Sequence, residues 1–369
     1  MTPEITDKMV RLNAFLDRHN LDGVLLQLRN NFAWITGGLD NHIVNSSSVG
    51  VASILATRDK RVCITNTIEG PRFRQEELSG TDIDTLEFPW WDAESSKKSI
   101  REIIGSKKIA SDVDPMGLGL LDLPGDFAEL RWTLTDAEIG RYRDSSLRNS
   151  HALEAACLAV RPGHTEMEAA GIIDHFARRE RLKPAVTLVA SDDRITKFRH
   201  PIPTAKVIGK IVMLVSCAES GGLISCLTRF VSFVPLTSEQ KQKQQAIANI
   251  DAAVNLATKP GRTLGEIFKD LQQAYTDNAQ DGQWKLHHQG GSTGYAGREA
   301  IADPFSTVIV RDRQPFAWNP SIIGAKSEDT VLVTQSGIEV LTKTSSNFPT
   351  VAGSWKGQTL LRPDILVAE

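Results

Sequence analysis

Eight histidines lie along 369 residues, and three of them stand in settings that suit chemistry. His200 sits in Phe198-Arg199-His200-Pro201-Ile202-Pro203-Thr204, while His287 and His288 are adjacent and closely followed by Gly290-Gly291. Paired glycines let a backbone approach a ligand closely. An imidazole with a pKa of about 6.5 takes and returns a proton at neutral pH, which suits general acid/base work, although His200 by itself reads equally as a capping or packing histidine in the turn before Pro201. Lys326-Ser327-Glu328-Asp329-Thr330 supplies a carboxylate, and Glu328 near His200 would stabilise the imidazolium form. One of His287 and His288 is expected to face a substrate and the other to be structural. Arg298-Glu299 by itself reads as a solvated ion pair. No phosphate-cradling loop, Gly-x-Ser-x-Gly elbow or His-Glu-x-x-His helix occurs in the sequence.

The elements that must position these residues fall into two parts. A chain of 369 residues exceeds what one hydrophobic core supports, so two domains are expected, 1–132 and 133–369. Met9–His19 carries apolar residues at helical spacing; Val24–Leu28 reads as a strand and Asn31–Gly37 as a turn. Further strands at 48–56, 61–65, 84–87 and 108–111 alternate with polar helical stretches at 71–78 and 93–105, which predicts an α/β domain. In the second part, Leu134-Thr135-Asp136-Ala137-Glu138 caps a helix running to about Val160, and Thr165, Thr237 and Thr263 open three more. Lys210–Phe230 reads as two buried strands joined by a Gly221-Gly222 turn, and Gln283–Leu286 as strand-like.

Composition excludes several functions. A formal charge of -3, with acids and bases interspersed, favours neither nucleic acid nor an acidic membrane surface. No apolar run approaches the roughly 18–20 residues that span a bilayer. The N-terminal stretch lacks an apolar signal core, so a cytoplasmic location is expected. The four cysteines form no Cys-x-x-Cys pair and read as buried thiols; Cys217 and Cys226 could face each other across the hairpin as a disulfide or soft-metal pair. Arg229 reads as the structural partner of a carboxylate, and Trp318 as pocket wall or core. Trp90-Trp91 reads as a dimer contact or a plug between domains.

Several of these segments resemble the pita-bread family of Xaa-Pro peptidases, methionine aminopeptidases and creatinase. The hairpin ending in Leu227-Thr228-Arg229 resembles the one that carries the family's first two metal-binding aspartates, which places Val215 and Cys226 at those positions. His287–Gly294 resembles the family's His-Gly-x-x-His-x-x-Gly segment, with Gly291 at the ligand position. Ala317-Trp318-Asn319-Pro320 resembles a hydrophobic-Glu-Pro strand end, with Asn319 at the glutamate; Lys326–Leu332 matches the last ligand segment and keeps Glu328. The stretch around His200 resembles a segment whose histidine contacts substrate. The Asn31–Gly37 segment resembles the family's N-terminal domain.

The resemblance implies a creatinase-like α/β N-terminal domain followed by an α+β pita-bread domain. Two divalent cations would bring about four positive charges, and one surviving carboxylate would leave about three uncompensated at several kcal/mol each. The expectation is therefore no metal cofactor, with a single zinc through Cys226, a histidine and Glu328 as the alternative. By analogy with creatinase, the implied function is a metal-independent hydrolase of a C–N bond in a small amide, guanidino or amino-acid-derived substrate. His200 and Glu328 would be catalytic, and His287, His288, Arg298, Glu299, Asn319 and Lys326 would bind substrate. The alternatives are an inactive binding module and an Xaa-Pro aminopeptidase or dipeptidase with a rebuilt metal site. A small-molecule substrate and a homodimer are the implied partners.

Overall fold

The computed structural model describes residues 1–114 and 116–368; residue 369, the last of the expected second domain, lies outside the described residues. The chain divides into two compact units, Met1–Arg131 with Thr135–Glu138, and Trp132–Leu134 with the chain from Ile139 onward. Among the described residues no helix is long and apolar enough to cross a membrane.

In the first unit the helix α1 spans Pro3–His19, longer than the apolar spacing predicts. Thr2 caps it by accepting from the Ile5 N–H, and a proline in the first turn costs no hydrogen bond. The sheet holds β1 (Gly23–Leu28), β2 (Val49–Thr57), β3 (Arg61–Asn66), β4 (Asp84–Phe88), β5 (Ile109–Ser111) and β6 (Leu121–Asp122), in the order β4-β3-β2-β1-β5-β6. Asn31–Gly37, expected as a turn, belongs to a helix, α2 (Arg29–Thr36), closed by Gly37 at φ 83°. Buried Phe32, Trp34 and Ile35 override the weak helical propensity of aromatic and branched residues. The one-turn α3 (Gly70–Arg72) runs into a π-helical turn, Phe73–Glu77; α4 (Ala93–Ile104) follows the spacing predicted for it.

The helix α5 (Asp136–Ala159) starts in the Thr135–Glu138 segment of the first unit and continues into the second; the Thr135 N–H and hydroxyl both donate to the Glu138 carboxylate at 2.7 and 2.8 Å. The same reciprocal cap opens α6 (Glu166–Arg179) at Thr165, where Thr and Glu stand three residues apart. Then come β7 (Lys183–Ser191), the short α7 (Arg194–Lys197), β8 (Ile211–Ser220) and β9 (Leu223–Ser232). The β8–β9 turn has Gly221 at φ 57° and Gly222 at φ 77°, a conformation that glycines adopt without strain and that matches strand twist. Next are α8 (Ser238–Ala257) and α9 (Leu264–Asp277), each with a capping box at the expected threonine. Gln283–Leu286, expected as strand-like, is a 3-10 turn.

The C-terminal strands are β10 (Gly290–Ser292), β11 (Ala300–Ile301), β12 (Gln314–Trp318), β13 (Ser321–Ile322), β14 (Ala325–Lys326), β15 (Asp329–Thr334), β16 (Gly337–Val340), β17 (Thr350–Trp355), β18 (Gln358–Pro363) and β19 (Ile365–Val367). β19 joins β9, β8 and β7 in one sheet, while β11-β10-β12-β15-β16 form the other large one. Ile247, Leu264, Phe268, Trp318 and Val331 fill the core between α8, α9 and the second sheet. Trp318 is therefore core, its indole N–H donating to Thr258 Oγ1 at 3.0 Å.

Buried ions tie these pieces together. Asp329 receives Arg229 at 2.9 Å and Arg362 at 2.6 Å, and Arg362 also reaches Asp251 at 2.5 Å. Ser327 and Thr342 donate to the two carboxylates at 2.5 and 2.7 Å. Removing one partner of a buried pair leaves an uncompensated charge, so Arg362→Met is expected to cost about 3–5 kcal/mol of stability. Urea unfolding followed by circular dichroism measures this, with Lys243→Met at the exposed Glu239 pair leaving the midpoint nearly unmoved.

Candidate active site

The β8–β9 hairpin has two faces because side chains alternate along each strand. Leu214 and Leu227 take one face and pack with Leu153 of α5 and Ile173 of α6. The other face carries the registered pairs Val215–Thr228 and Cys217–Cys226. Val215 joins an apolar patch with Leu188, Met213 and Phe230, so only the end of this face with Cys217, Cys226 and Thr228 is polar.

Glu328, fully buried, meets that polar end. Its carboxylate accepts from Thr228 Oγ1 at 2.8 Å, Lys326 Nζ at 2.6 Å and Arg298 Nη2 at 3.2 Å. Burial alone would push the carboxyl up, but Lys326 and then Arg298 outweigh it and hold Glu328 at about 2. Arg298 thus pairs with Glu328 and is not a solvated pair with its neighbour Glu299. Its other nitrogen, Nη1, lies 3.6 Å from Cys226 Sγ. A hydrogen bond from the Cys217 thiol, helped by Arg298, draws the Cys226 thiol down, and Cys217 is raised in turn. Both cysteines are free thiols.

The three histidines converge on one another. Nε2 of His200 and Nε2 of His287 are 3.0 Å apart, and the ring centroids of the three lie 4.7, 5.4 and 4.5 Å from one another. One nitrogen from each ring can be chosen so that all lie within 4.8 Å. His200 is exposed, His287 and His288 are half-buried, and Lys326 and Glu328 are buried, a gradient from solvent to floor. Burial and then Lys326 hold His287 down at about 2; burial and then Arg298 hold His288 at about 4. His200 is lowered for the same two reasons as His287. His287 and His288 are neutral at pH 7, His200 is shifted toward its neutral form, and neutral rings present lone pairs. Ser321 Oγ, 3.4 Å from His287 Nδ1, steadies that ring.

The division of His287 and His288 into one site residue and one structural residue is thus replaced by a cluster of three. Glu299 lies on the segment leading into β11, its backbone N–H donating to Ser292 O at 2.8 Å. Asn319 is buried with Oδ1 lacking a hydrogen-bond partner among the described residues. Gly291 has φ 154°, and a Cβ there would meet the Ala300 carbonyl oxygen at 2.0 Å, so no larger side chain fits. Thr228, Cys217 and Ser321 complete the cluster; the sequence offered Cys217 only as a disulfide or soft-metal partner of Cys226, and gave Thr228 and Ser321 no role at the site. Their partners lie far along the chain, and only the Thr228-Arg229 pair stood out locally.

Three of the five positions marked by the resemblance offer an ion no free donor. Val215 is in an apolar patch, Gly291 has no donor, and Glu328 is already neutralised by two cations. The three neutral imidazoles do suit one, since nitrogen lone pairs bind zinc and other late first-row metals.

Residues 140–335 match the sequence pattern of metallopeptidase family M24. A curated Xaa-Pro dipeptidase of Pyrococcus furiosus is 26% identical over 226 residues, 58% of this chain, and the chain spans 64% of that relative's length. The solved Xaa-Pro dipeptidase from Bacillus anthracis superimposes with a TM-score of 0.75 at 18% identity, covering 99% of this chain and 100% of its own. The N-terminal domain of FACT complex subunit SPT16 from chickpea gives 0.67 at 14% identity, covering 93% and 97%. The α/β N-terminal domain and pita-bread domain expected from the resemblance are the fold observed. The expectation of no metal cofactor is overturned, because the matched family is one of metallopeptidases. The alternative weighed beside it, a single zinc through Cys226, a histidine and Glu328, did not anticipate three imidazoles lying together.

A carboxyl held below its ordinary pKa adds stability above that ordinary value and loses it as pH falls through the lowered one. Glu328→Gln should therefore be less stable than the native protein above about pH 5, with the gap closing as pH drops toward about 2. Thermal melts of both proteins across that range measure the gap; a constant difference would contradict the assigned charge state.

Proposed function

Because the chain belongs to metallopeptidase family M24, we propose that it hydrolyses the C–N bond of a short peptide at the cluster of His200, His287, His288, Arg298, Lys326 and Glu328. The observation that carries this reading is that the matched segment, 140–335, contains every member of the cluster. The relatives named Xaa-Pro dipeptidase support a two-residue substrate with proline after the cleaved bond.

The floor sets two cations against one carboxylate, an excess of one positive charge among these three side chains. Such a floor favours an anionic group, either the peptide's terminal carboxylate or the oxygen on which charge develops during attack. Glu328 keeps Arg298 and Lys326 oriented, so little reorganisation is needed when substrate arrives. His200, His287 and His288 are the residues that would hold a divalent ion. When bound, the ion supplies Lewis acidity at the scissile carbonyl. The acid/base role expected of His200 gives way to this donor role, since a nitrogen committed to a cation has no lone pair for a proton. Trp90 and Trp91, 61% and 68% exposed and packed edge to face, support the expected homodimer, which mass measurement in solution tests.

Purified protein supplied with zinc, manganese or cobalt should release amino acids from a panel of Xaa-Pro and other dipeptides, and chelation should abolish release. Arg298→Ala should lower kcat/KM by roughly 10- to 150-fold, the worth of one charge-assisted hydrogen bond. If the metal-loaded protein cleaves no member of the panel, the hydrolytic reading falls and a binding module is favoured.

A further inference from the structure

From the geometry of the histidine cluster we infer that His200, His287 and His288 form a binding site for a single late first-row transition-metal ion, of which zinc is the type. Four-coordinate zinc holds imidazole nitrogens at about 2.0–2.1 Å, which places any two of them about 3.3 Å apart. The His200 and His287 Nε2 atoms, at 3.0 Å, already approximate one edge of that tetrahedron. With all three donor atoms inside 4.8 Å, His288 has at most about 1.5 Å to close to reach that edge length, within the reach of a ring rotation.

Two further observations point the same way. Nδ1 of His288 is buried and has no hydrogen-bond partner among the described residues. A buried polar atom without a partner is costly, and a ligand at it would remove that cost. Ser321 Oγ lies against the other nitrogen of His287, as expected where a hydroxyl fixes the orientation of a ligating ring.

Charge limits the site to one ion of this class. Lys326 and Arg298 stand behind the rings and repel cations, while Glu328, which could offset them, is occupied by both. A hard ion such as manganese or magnesium binds through anionic oxygens and finds none unpaired here. An ion bound through nitrogen lone pairs depends less on that charge balance. The same cations favour an anion as its fourth ligand, such as the carboxylate of a peptide. Metal binding at the cluster stands apart from the hydrolytic reading, since an ion can sit there in a protein that cleaves nothing.

The test is titration of chelator-treated full-length protein with cobalt(II). It is read by the visible absorption of tetrahedral cobalt and by elemental analysis after desalting. One equivalent is expected, with an intense tetrahedral spectrum and displacement by zinc. His200→Ala, at an exposed position that does not threaten folding, should weaken cobalt binding at least about tenfold, and Ser321→Ala about tenfold. His175→Ala, on α6, should bind as the native protein does. No bound cobalt, two equivalents, or one equivalent retained unweakened in folded His200→Ala would each overturn the site. Cobalt bound as expected without peptide cleavage would leave the site standing and remove the hydrolytic reading.

Discussion

Arg229 and Arg362 have almost no access to water, and the carboxylates of Asp329 and Asp251 supply the opposite charge that their burial requires. This constraint fixes the site. Asp329 begins β15 between the two guanidiniums, so its neighbour Glu328 must turn the opposite way, toward Thr228, Lys326 and Arg298. A single strand thus serves two charge systems on alternate residues. The inner one joins β9, β15, β18 and α8, and the outer one forms the floor beneath the histidines. Loss of the inner pairing would leave the outer one without a fixed strand to stand on.

The outer system is unusual in sign. Three neutral imidazoles sit over two cations and one carboxylate, whereas a pair of hard divalent ions would require the reverse. Each ring owes its low pKa first to burial and then to Lys326 or Arg298. The same features that keep the rings unprotonated make them donors. Metal chemistry and an excess of fixed positive charge are compatible only where the ligands are neutral and soft.

The sequence was most legible where local chemistry dictates backbone shape. Thr165, Thr237 and Thr263 each stand three residues before a Glu or Gln, and each opens a helix through both halves of a capping box. Gly221-Gly222 gave the hairpin turn and hence the register that puts Cys217 beside Cys226. Asn31–Gly37 and Gln283–Leu286 were misread because burial decided the first and a short 3-10 turn has no periodicity to detect. The lone pairing of Arg229 with a carboxylate was legible in kind, but its partner Asp329 and the involvement of Arg362 were not.

What the sequence determined alone was most of the order of helices and strands, the membership of the family, and the choice of His200, His287, His288 and Glu328 as candidates. These follow from short-range rules: caps, alternation, turn residues and motif frames. The tertiary structure decided what those side chains do to one another. That Lys326 and Arg298 both close on Glu328, and that three rings from two distant segments meet within 4.8 Å, depends on how the second unit packs. Coulombic and coordinative interactions act through space over a few ångströms, and no pattern along a chain records which remote residues will come within that range.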